Sequence, residues 1–329
     1  MFCGKWSGVD YSLLPWHTVI LEVYSFSFGK VCNYSLRLRT ISNMTIIFDG
    51  KAFAQELEQR IKNKVQKLKE KGIKPKLVSI LAGDDPASIL YTKLKKKASE
   101  RVGIEFEIIR FGSDESTRLP VGQVHRIKKV IFQLNKDSNV HGIMVQLPLP
   151  EKLKFNTREV IEAITPEKDV DGMREDSKFV PATVKAVLEI LKVAKVDKAL
   201  PAVRQVDKVA VVGSDGMVGK PLVKELKGMN YDVFEVDKKS KKFSDEAMKQ
   251  FSDADVLVSA AGVPNLIKPD MVKDGAVVID AGSPKGDVDP STALRARFFT
   301  PVPGGVGPVT VISLLENLVL GVEKISFKK

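Results

Sequence analysis

The spacing of apolar and polar positions alternates between helical and strand periods from residue 51 onward. Leu57, Ile61, Val65 and Leu68 recur every three or four residues, predicting a helix over 51–71 with a lysine-rich outer face. Residues 76–82 predict a strand, 86–101 a helix, 104–111 a strand, 121–135 a helix and 140–147 a strand. In the helix over 86–101, Leu90, Leu94 and Ala98 form the stripe expected to bury. Ser88, Tyr91 and Lys95 form an adjacent stripe, because positions four apart share a face. Lys93, Lys96 and Lys97 point elsewhere and read as solvated. Pro148-Leu-Pro150 ends the strand over 140–147 and leaves Gln146 at the carboxyl end of the sheet. Open α/β sheets take their ligands at that end.

After a helix-and-loop segment, Asp169 and Asp171 precede Gly172 in a turn-like stretch. A helix over 182–195 follows, and 195–205 reads as a linker or helix end. The strand over 208–213 then opens a second unit, with further strands over 231–236, 255–260 and 276–280. Between the first strand and a helix near 221–228 lies Gly213-Ser214-Asp215-Gly216-Met217-Val218-Gly219-Lys220-Pro221. A glycine turn between strand and helix sets helix amides against a phosphate, and the alternation around it is the doubly wound nucleotide-binding pattern. It is not a Walker loop, which needs glycine at 214 and Ser or Thr at 221. Asp237 ends the second strand of the unit. It is either the acidic residue that binds an adenosine ribose or a surface aspartate. The proline- and glycine-rich stretch 300–310 specifies a rigid loop lying against a flat ligand or a domain seam. An apolar helix runs from it to about 322. The fold class is therefore α/β, in two domains.

Composition adds exclusions. The chain has 329 residues, 43% hydrophobic and 28% charged, which suits a soluble globular protein of about two domains. No apolar run reads as long enough to span a bilayer, so no membrane partner is expected. A net charge of +11 and a pI near 9.4 would allow nucleic-acid binding. The basic residues lack interleaved aromatics and lie on helix exteriors, so no nucleic-acid partner is expected. Cys3 and Cys32 cannot make a metal site, and no Cys-x-x-Cys or His-Glu-x-x-His occurs; no metal is expected. A reducing cytoplasm is the default compartment. Residues 1–43 hold both cysteines and both tryptophans without a clear period, and they read as an extension ahead of a start at Met44.

Gly83-Asp-Asp-Pro-Ala-Ser88, Tyr91-Thr-Lys-Leu-Lys95, Gln146-Leu-Pro-Leu-Pro150, Lys168-Asp-Val-Asp-Gly172 and Thr300-Pro-Val-Pro-Gly-Gly-Val-Gly-Pro308 occur in that order. Together they resemble the bifunctional methylenetetrahydrofolate dehydrogenase/cyclohydrolase family, from about Met44 to the C-terminus. The resemblance implies a catalytic, folate-binding domain over 44–182 plus 306–329 and a Rossmann domain for NADP or NAD over 183–305. It implies oxidation of methylenetetrahydrofolate, hydrolysis of the methenyl product to 10-formyltetrahydrofolate, and a homodimer. The catalytic residues it implies are Lys95, Tyr91, Gln146 and Asp171. Lys95 would exchange protons, Gln146 hold it and orient water, Tyr91 stack on the aminobenzoate and Asp171 accept from the pterin. Substrate would also meet Ser88, Asp169, Pro303, Gly304 and Gly305. The cofactor would meet Gly213, Ser214, Asp215, Gly216, Val218, Gly219, Pro221 and Asp237.

Two departures stand out. Met173–Thr183 lacks the family's usual segment, and only Pro181 and Thr183 match its Pro-Cys-Thr-Pro motif. Ser214-Asp215 stand where members using NADP often carry arginine, although Lys238 and Lys239 could compensate, which leaves the choice of dinucleotide open. The alternative function is a Rossmann oxidoreductase acting on a small hydroxy or amino acid.

Overall fold

A computed structural model describes residues 25–28, 31–34, 45–112, 120–196, 208–237 and 252–326. Lys238, Lys239 and most of the 195–205 linker lie outside the described residues. The chain divides into a unit over residues 1–44 and a unit over 45–329. In the first, strands β1 (Ser25–Phe28) and β2 (Val31–Tyr34) pair antiparallel, where the sequence showed no period.

The second unit begins with β3 (Ile46–Ile47) and α1 (Gly50–Glu70). Asp49 caps α1 by accepting from the amides of Lys51 and Ala52, both at 3.0 Å. Ile61, Val65 and Leu68 bury as their spacing predicts, while Leu57 is partly buried. Then come β4 (Lys76–Ala82), α2 (Pro86–Val102), β5 (Glu105–Phe111), α3 (Pro120–Lys136) and β6 (Gly142–Val145). The three strands form a parallel sheet in the order β5-β4-β6. Central β4 is buried on both faces through Leu77, Val78, Ile80 and Leu81, as a parallel sheet covered by helices requires.

A 3₁₀ turn over Glu151–Asn156 leads into α4 (Thr157–Glu162), and α5 (Ala182–Val196) follows. The remaining elements are β7 (Lys208–Val212), α6 (Gly219–Gly228), β8 (Asp232–Val236), β9 (Val256–Ser259), β10 (Val277–Asp280), β11 (Phe298–Phe299) and α7 (Val306–Ser326). Their strands and β3 build a parallel six-stranded sheet, β3-β11-β10-β9-β7-β8. The short strands β3 and β11 escaped the periodicity argument because two residues carry no period. Ile46 pairs with Phe298, and Phe48 stacks 5.5 Å from the Phe298 ring.

Two expectations are corrected. Leu90 and Leu94 do not bury; they are 55% and 46% exposed. Ala98 buries as expected, but the rest of the inward stripe of α2 is Ser88, Thr92, Lys95, Ser99 and Val102, with Lys95 the least buried of them. Small side chains let α2 approach closely. Two of their hydroxyls are satisfied within the helix, Thr92 Oγ1 donating to the Ser88 carbonyl at 2.8 Å and Ser99 Oγ to the Lys95 carbonyl at 2.9 Å. A search for large apolar residues misses such a face. Secondly, residues 306–324 of α7 are long and apolar enough by composition to cross a membrane. Here that apolar surface is core: Val309, Ile312, Leu314, Leu315, Leu318 and Val319 are buried, and the helix packs against α1 and α5.

Candidate active site

The capping of α2 fixes where its inward stripe points. Asp85 Oδ2 accepts from the Ser88 amide at 2.7 Å with Pro86 in the first turn, and Gly103 ends the helix at φ 82°. Lys95 then faces the end of β6. Its Nζ donates to Gln146 Oε1 at 3.0 Å, and Gln146 Nε2 donates to the Leu147 carbonyl at 2.7 Å. The Gln146 amide itself donates to the Ile80 carbonyl at 2.8 Å, carrying the ladder one residue past β6. The glutamine is 6% exposed, so its orientation is set on every side.

Lys95 and Asp171 sit deep yet retain partial exposure. Burial pushes the Lys95 ammonium below its ordinary value, and the Asp171 carboxylate opposes this. Burial pushes Asp171 up, and Lys95 opposes that in turn. The pair is therefore electrostatically coupled without a direct ion pair. Perturbed titratable groups of this kind concentrate at functional sites, although structural charge networks produce them too.

The backbone around Asp171 is held from both sides. Gly172 adopts φ 73° against Pro181, and its amide donates to the Asp169 carbonyl at 3.0 Å. Asn317 of α7, buried, donates through Nδ2 to the Val170 carbonyl at 3.0 Å and the Val180 carbonyl at 2.9 Å. Its Oδ1 accepts from Lys185 Nζ at 3.2 Å. Arg174 closes the other end, donating to the Glu162 and Ile164 carbonyls and pairing with Glu162 and Asp176.

The other residues singled out in this region divide. Tyr91 is half-buried and its hydroxyl accepts from Ser283 Oγ at 3.0 Å, linking α2 to the loop after β10. Asp169 is turned inward, 1% exposed, accepting from the Arg174 amide at 2.9 Å. Burial raises its pKa, and the Arg174 amide opposes the rise. Its carboxylate holds the turn rather than facing solvent. Ser88 is also buried, with Oγ turned into the protein. Pro303 is exposed and Gly304 half-buried, but Gly305 is buried against the start of α1. A Cβ on Gly50 would lie 1.9 Å from the Gly305 carbonyl oxygen, so this loop forms a seam that admits no side chain there.

In the six-stranded sheet, the turn after β7 packs tightly on α6. A Cβ at Gly219 would fall 2.0 Å from the Gly213 carbonyl oxygen, and Gly213 itself has φ 79°. The amides of Gly213 and Ser214 donate to the Val236 carbonyl at 2.8 and 3.3 Å, and that of Gly216 to the Gly213 carbonyl at 3.0 Å. Ser214 is buried, Asp215 exposed, and Val218 and Pro221 partly buried at the start of α6. In the first turn of α6 the Lys220 and Leu222 amides donate to the Gly216 and Val218 carbonyls at 3.0 and 3.1 Å and Pro221 has no N–H, so what this end offers an anion is chiefly the helix dipole. Narrow glycine backbone before such an end fits a dinucleotide's pyrophosphate.

Sequence reasoning missed two buried aspartates at the carboxyl end of this sheet. Asp287, 0% exposed, accepts from Ser259 Oγ at 2.9 Å and from the amides of Ala261, Gly262 and Val263 at 2.8, 3.1 and 2.8 Å. Asp280 accepts from the amides of Gly282, Asp287 and Val288 at 2.8, 3.1 and 2.9 Å. Burial raises the Asp280 pKa and these amides oppose the rise. Together they fasten the loops after β9 and β10. Their partners are backbone amides, which no side-chain pattern advertises. Ser283 and Asn317 were missed because their partners, the Tyr91 hydroxyl and the Val170 and Val180 carbonyls, are distant in sequence.

Comparison with known proteins agrees with this architecture. Residues 48–171 match the family model described as tetrahydrofolate dehydrogenase/cyclohydrolase, catalytic domain. Residues 181–326 match tetrahydrofolate dehydrogenase/cyclohydrolase, NAD(P)-binding domain. A bifunctional protein FolD of Staphylococcus aureus is 38% identical over 291 residues, covering 83% of this chain and 95% of that protein. The structure is similar to a 5,10-methylenetetrahydrofolate dehydrogenase of the silkworm Bombyx mori, with TM-score 0.75 and 34% identity over 86% of this chain and all of that one. It is also similar to the Trypanosoma brucei methylenetetrahydrofolate dehydrogenase-cyclohydrolase complexed with NADP, with TM-score 0.74 and 29% identity over 87% and 99% of the two chains. With both domain models matched in order, this chain belongs to the tetrahydrofolate dehydrogenase/cyclohydrolase family.

Proposed function

We propose that Lys95, Gln146 and Asp171 form the centre at which this chain carries out its two reactions. It oxidises 5,10-methylenetetrahydrofolate to the 5,10-methenyl compound with NAD(P)+ and hydrolyses that to 10-formyltetrahydrofolate. The observation that carries the assignment of the centre is the 3.0 Å bond from Lys95 Nζ to Gln146 Oε1, beside Asp171 in a desolvated place. The bound nicotinamide supplies the hydride acceptor. In the oxidation the folate nitrogen lone pairs stabilise the developing cation, so the chain's task is positioning. Asp171 accepts from the pterin's donor edge, and Tyr91 lies along the aminobenzoate.

In the hydrolysis a water adds to the methenyl carbon, and Lys95, while neutral, takes the proton released. Burial lowers its pKa and so favours the neutral amine that this step uses. Gln146 holds the lysine and orients the water. The lysine then returns a proton as the carbon–nitrogen bond breaks and the ring opens. The start of α6 and the turn at Gly213, Ser214, Asp215, Gly216 and Gly219 hold the pyrophosphate, with Val218 and Pro221 beside it and Asp237 at the ribose. The face of Pro303 and Gly304 bounds the folate.

The proposed division is a catalytic domain over 44–182 with 306–329 and a dinucleotide domain over 183–305. The packing of α7 on α1 supports returning the C-terminal helix to the first domain, although β3 hydrogen-bonds into the second sheet. A cytoplasmic homodimer acting on small molecules, without nucleic-acid or membrane partners, completes the reading on the family resemblance. The test supplies methylenetetrahydrofolate with NAD+ or NADP+ in turn and follows reduced dinucleotide and methenyl absorbance. Reduction with transient methenyl is the expected result. Dinucleotide binding with no turnover of the folate would overturn the reading.

A further inference from the structure

We propose that Ser283, on the loop after β10, is a positioning residue for the folate: it holds the Tyr91 phenol in the orientation on which the aminobenzoate stacks. The inference rests on the reading that Tyr91 lies along the aminobenzoate, and deepens it by naming what fixes that ring.

The two hydroxyls come from different parts of the fold. Tyr91 stands on α2 beside the three-stranded sheet, four residues before Lys95 and so on the lysine's face of the helix. Ser283 follows β10 of the six-stranded sheet, and its Oγ donates to the Tyr91 hydroxyl at 3.0 Å. Both ends of this bond stand on rigid supports. One carboxylate clasps both feet of the Ser283 loop: Asp280 accepts from the Gly282, Asp287 and Val288 amides at 2.8, 3.1 and 2.9 Å. Within the loop the Gly286 carbonyl accepts from the Asn265 amide at 3.1 Å. A Cβ on Gly282 would lie 2.7 Å from the Asp287 amide nitrogen, so there is no slack beside Ser283. On the other side, the Asp85 cap fixes the start of α2.

A tyrosine ring turns about two side-chain bonds, and tethering its far end selects one pose. Stacking on a ring already held saves the entropy of ordering it during binding. Tyr91 is half-buried and Ser283 exposed, so water competes for the bond and its contribution to folding is small. An aminobenzoate lying along the ring would exclude that water, and the same bond then strengthens in a lower dielectric. The gain therefore falls on folate affinity rather than on stability. Oxidation and hydrolysis use the same bound folate, so both share it.

Separate assays of the two steps test this with Ser283→Ala, Ser283→Thr, Tyr91→Phe and the double variant of Ser283→Ala with Tyr91→Phe. Ser283→Ala is expected to raise KM for the methylene and methenyl compounds alike by about fivefold, the weight of one neutral hydrogen bond, with a smaller change in kcat. Tyr91→Phe is expected to match it, and the double variant to add nothing, because each removes the same bond. Ser283→Thr keeps the hydroxyl and is expected to restore most of the affinity. Melting temperature and dinucleotide Kd, by calorimetry, are expected to stay at the wild-type values. Unchanged folate KM in Ser283→Ala, a loss confined to the oxidation, or losses that add in the double variant would overturn the inference alone. If Tyr91→Ala left the folate KM unchanged, the placing of the aminobenzoate on Tyr91 would fall, and this inference with it.

Discussion

Lys95 and Gln146, 51 residues apart in sequence, are joined by a single hydrogen bond of 3.0 Å whose direction is forced by the glutamine's other half. Because Nε2 donates to the Leu147 carbonyl, Oε1 must face the lysine. Lys95→Ala is expected to lower methenyl hydrolysis at least about 100-fold, the usual weight of a proton-transfer group, while hydride transfer retains a larger share. Gln146→Leu is expected to lower hydrolysis less, because the lysine remains but is no longer held. Separate assays of the two steps decide this, and normal hydrolysis by Lys95→Ala would remove the lysine from the mechanism.

The coupling of Lys95 to Asp171 has a definite sign. Burial lowers the lysine pKa from 10.5 and Asp171 holds it up, so Asp171→Asn is expected to lower it further. The pH dependence of amine modification at Lys95, followed by mass spectrometry, measures this. Linkage fixes the effect on stability. Between the lowered folded pKa and 10.5 the unfolded chain binds more protons at this lysine, so its contribution to stability rises with pH across that window. Asp171 acts oppositely. Between 3.8 and its raised folded pKa the native state binds more protons, so its contribution falls as pH rises.

Asn317 touches no reacting group, yet it holds the carbonyls of Val170 and Val180 that flank the Asp171 turn. Asn317→Leu keeps the volume and leaves both carbonyls without their donor. The expected cost is about 3 kcal/mol, with a raised KM for folate and a smaller change in kcat. Binding of the dinucleotide is expected to stay as it was. A fall in kcat with unchanged KM would mean that the turn does not depend on this side chain.

Asp287 makes a comparable test in the other sheet. Asp287→Ala orphans Ser259 Oγ and three loop amides. A loss of about 3 kcal/mol is expected, a drop in melting temperature of roughly 4–5 °C at this size. Asp287→Asn keeps one acceptor and is expected to lose less. Equal melting of Asp287→Ala and the parent chain would show the loop to be held by other contacts.

The sequence by itself determined the alternation of elements and the order of the motifs. Segments such as 51–71 and 76–82 read correctly because a helical stripe and an unbroken apolar run are local signals, even though β4 pairs with strands far along the chain. Lys95 could be singled out from Lys93, Lys96 and Lys97 for the same reason, since helical spacing alone separates faces. Only tertiary structure decided what was buried on α2, because Thr92 and Ser99 satisfy their hydroxyls within the helix and so need no apolar signature. It also decided that Asp169 faces inward, that Gly305 closes on Gly50, and that Asp280, Asp287 and Asn317 hold the loops of the site. Each of those depends on backbone amides and carbonyls brought from distant positions. A backbone group has the same chemistry at every residue, so the sequence does not mark which ones a buried side chain will meet.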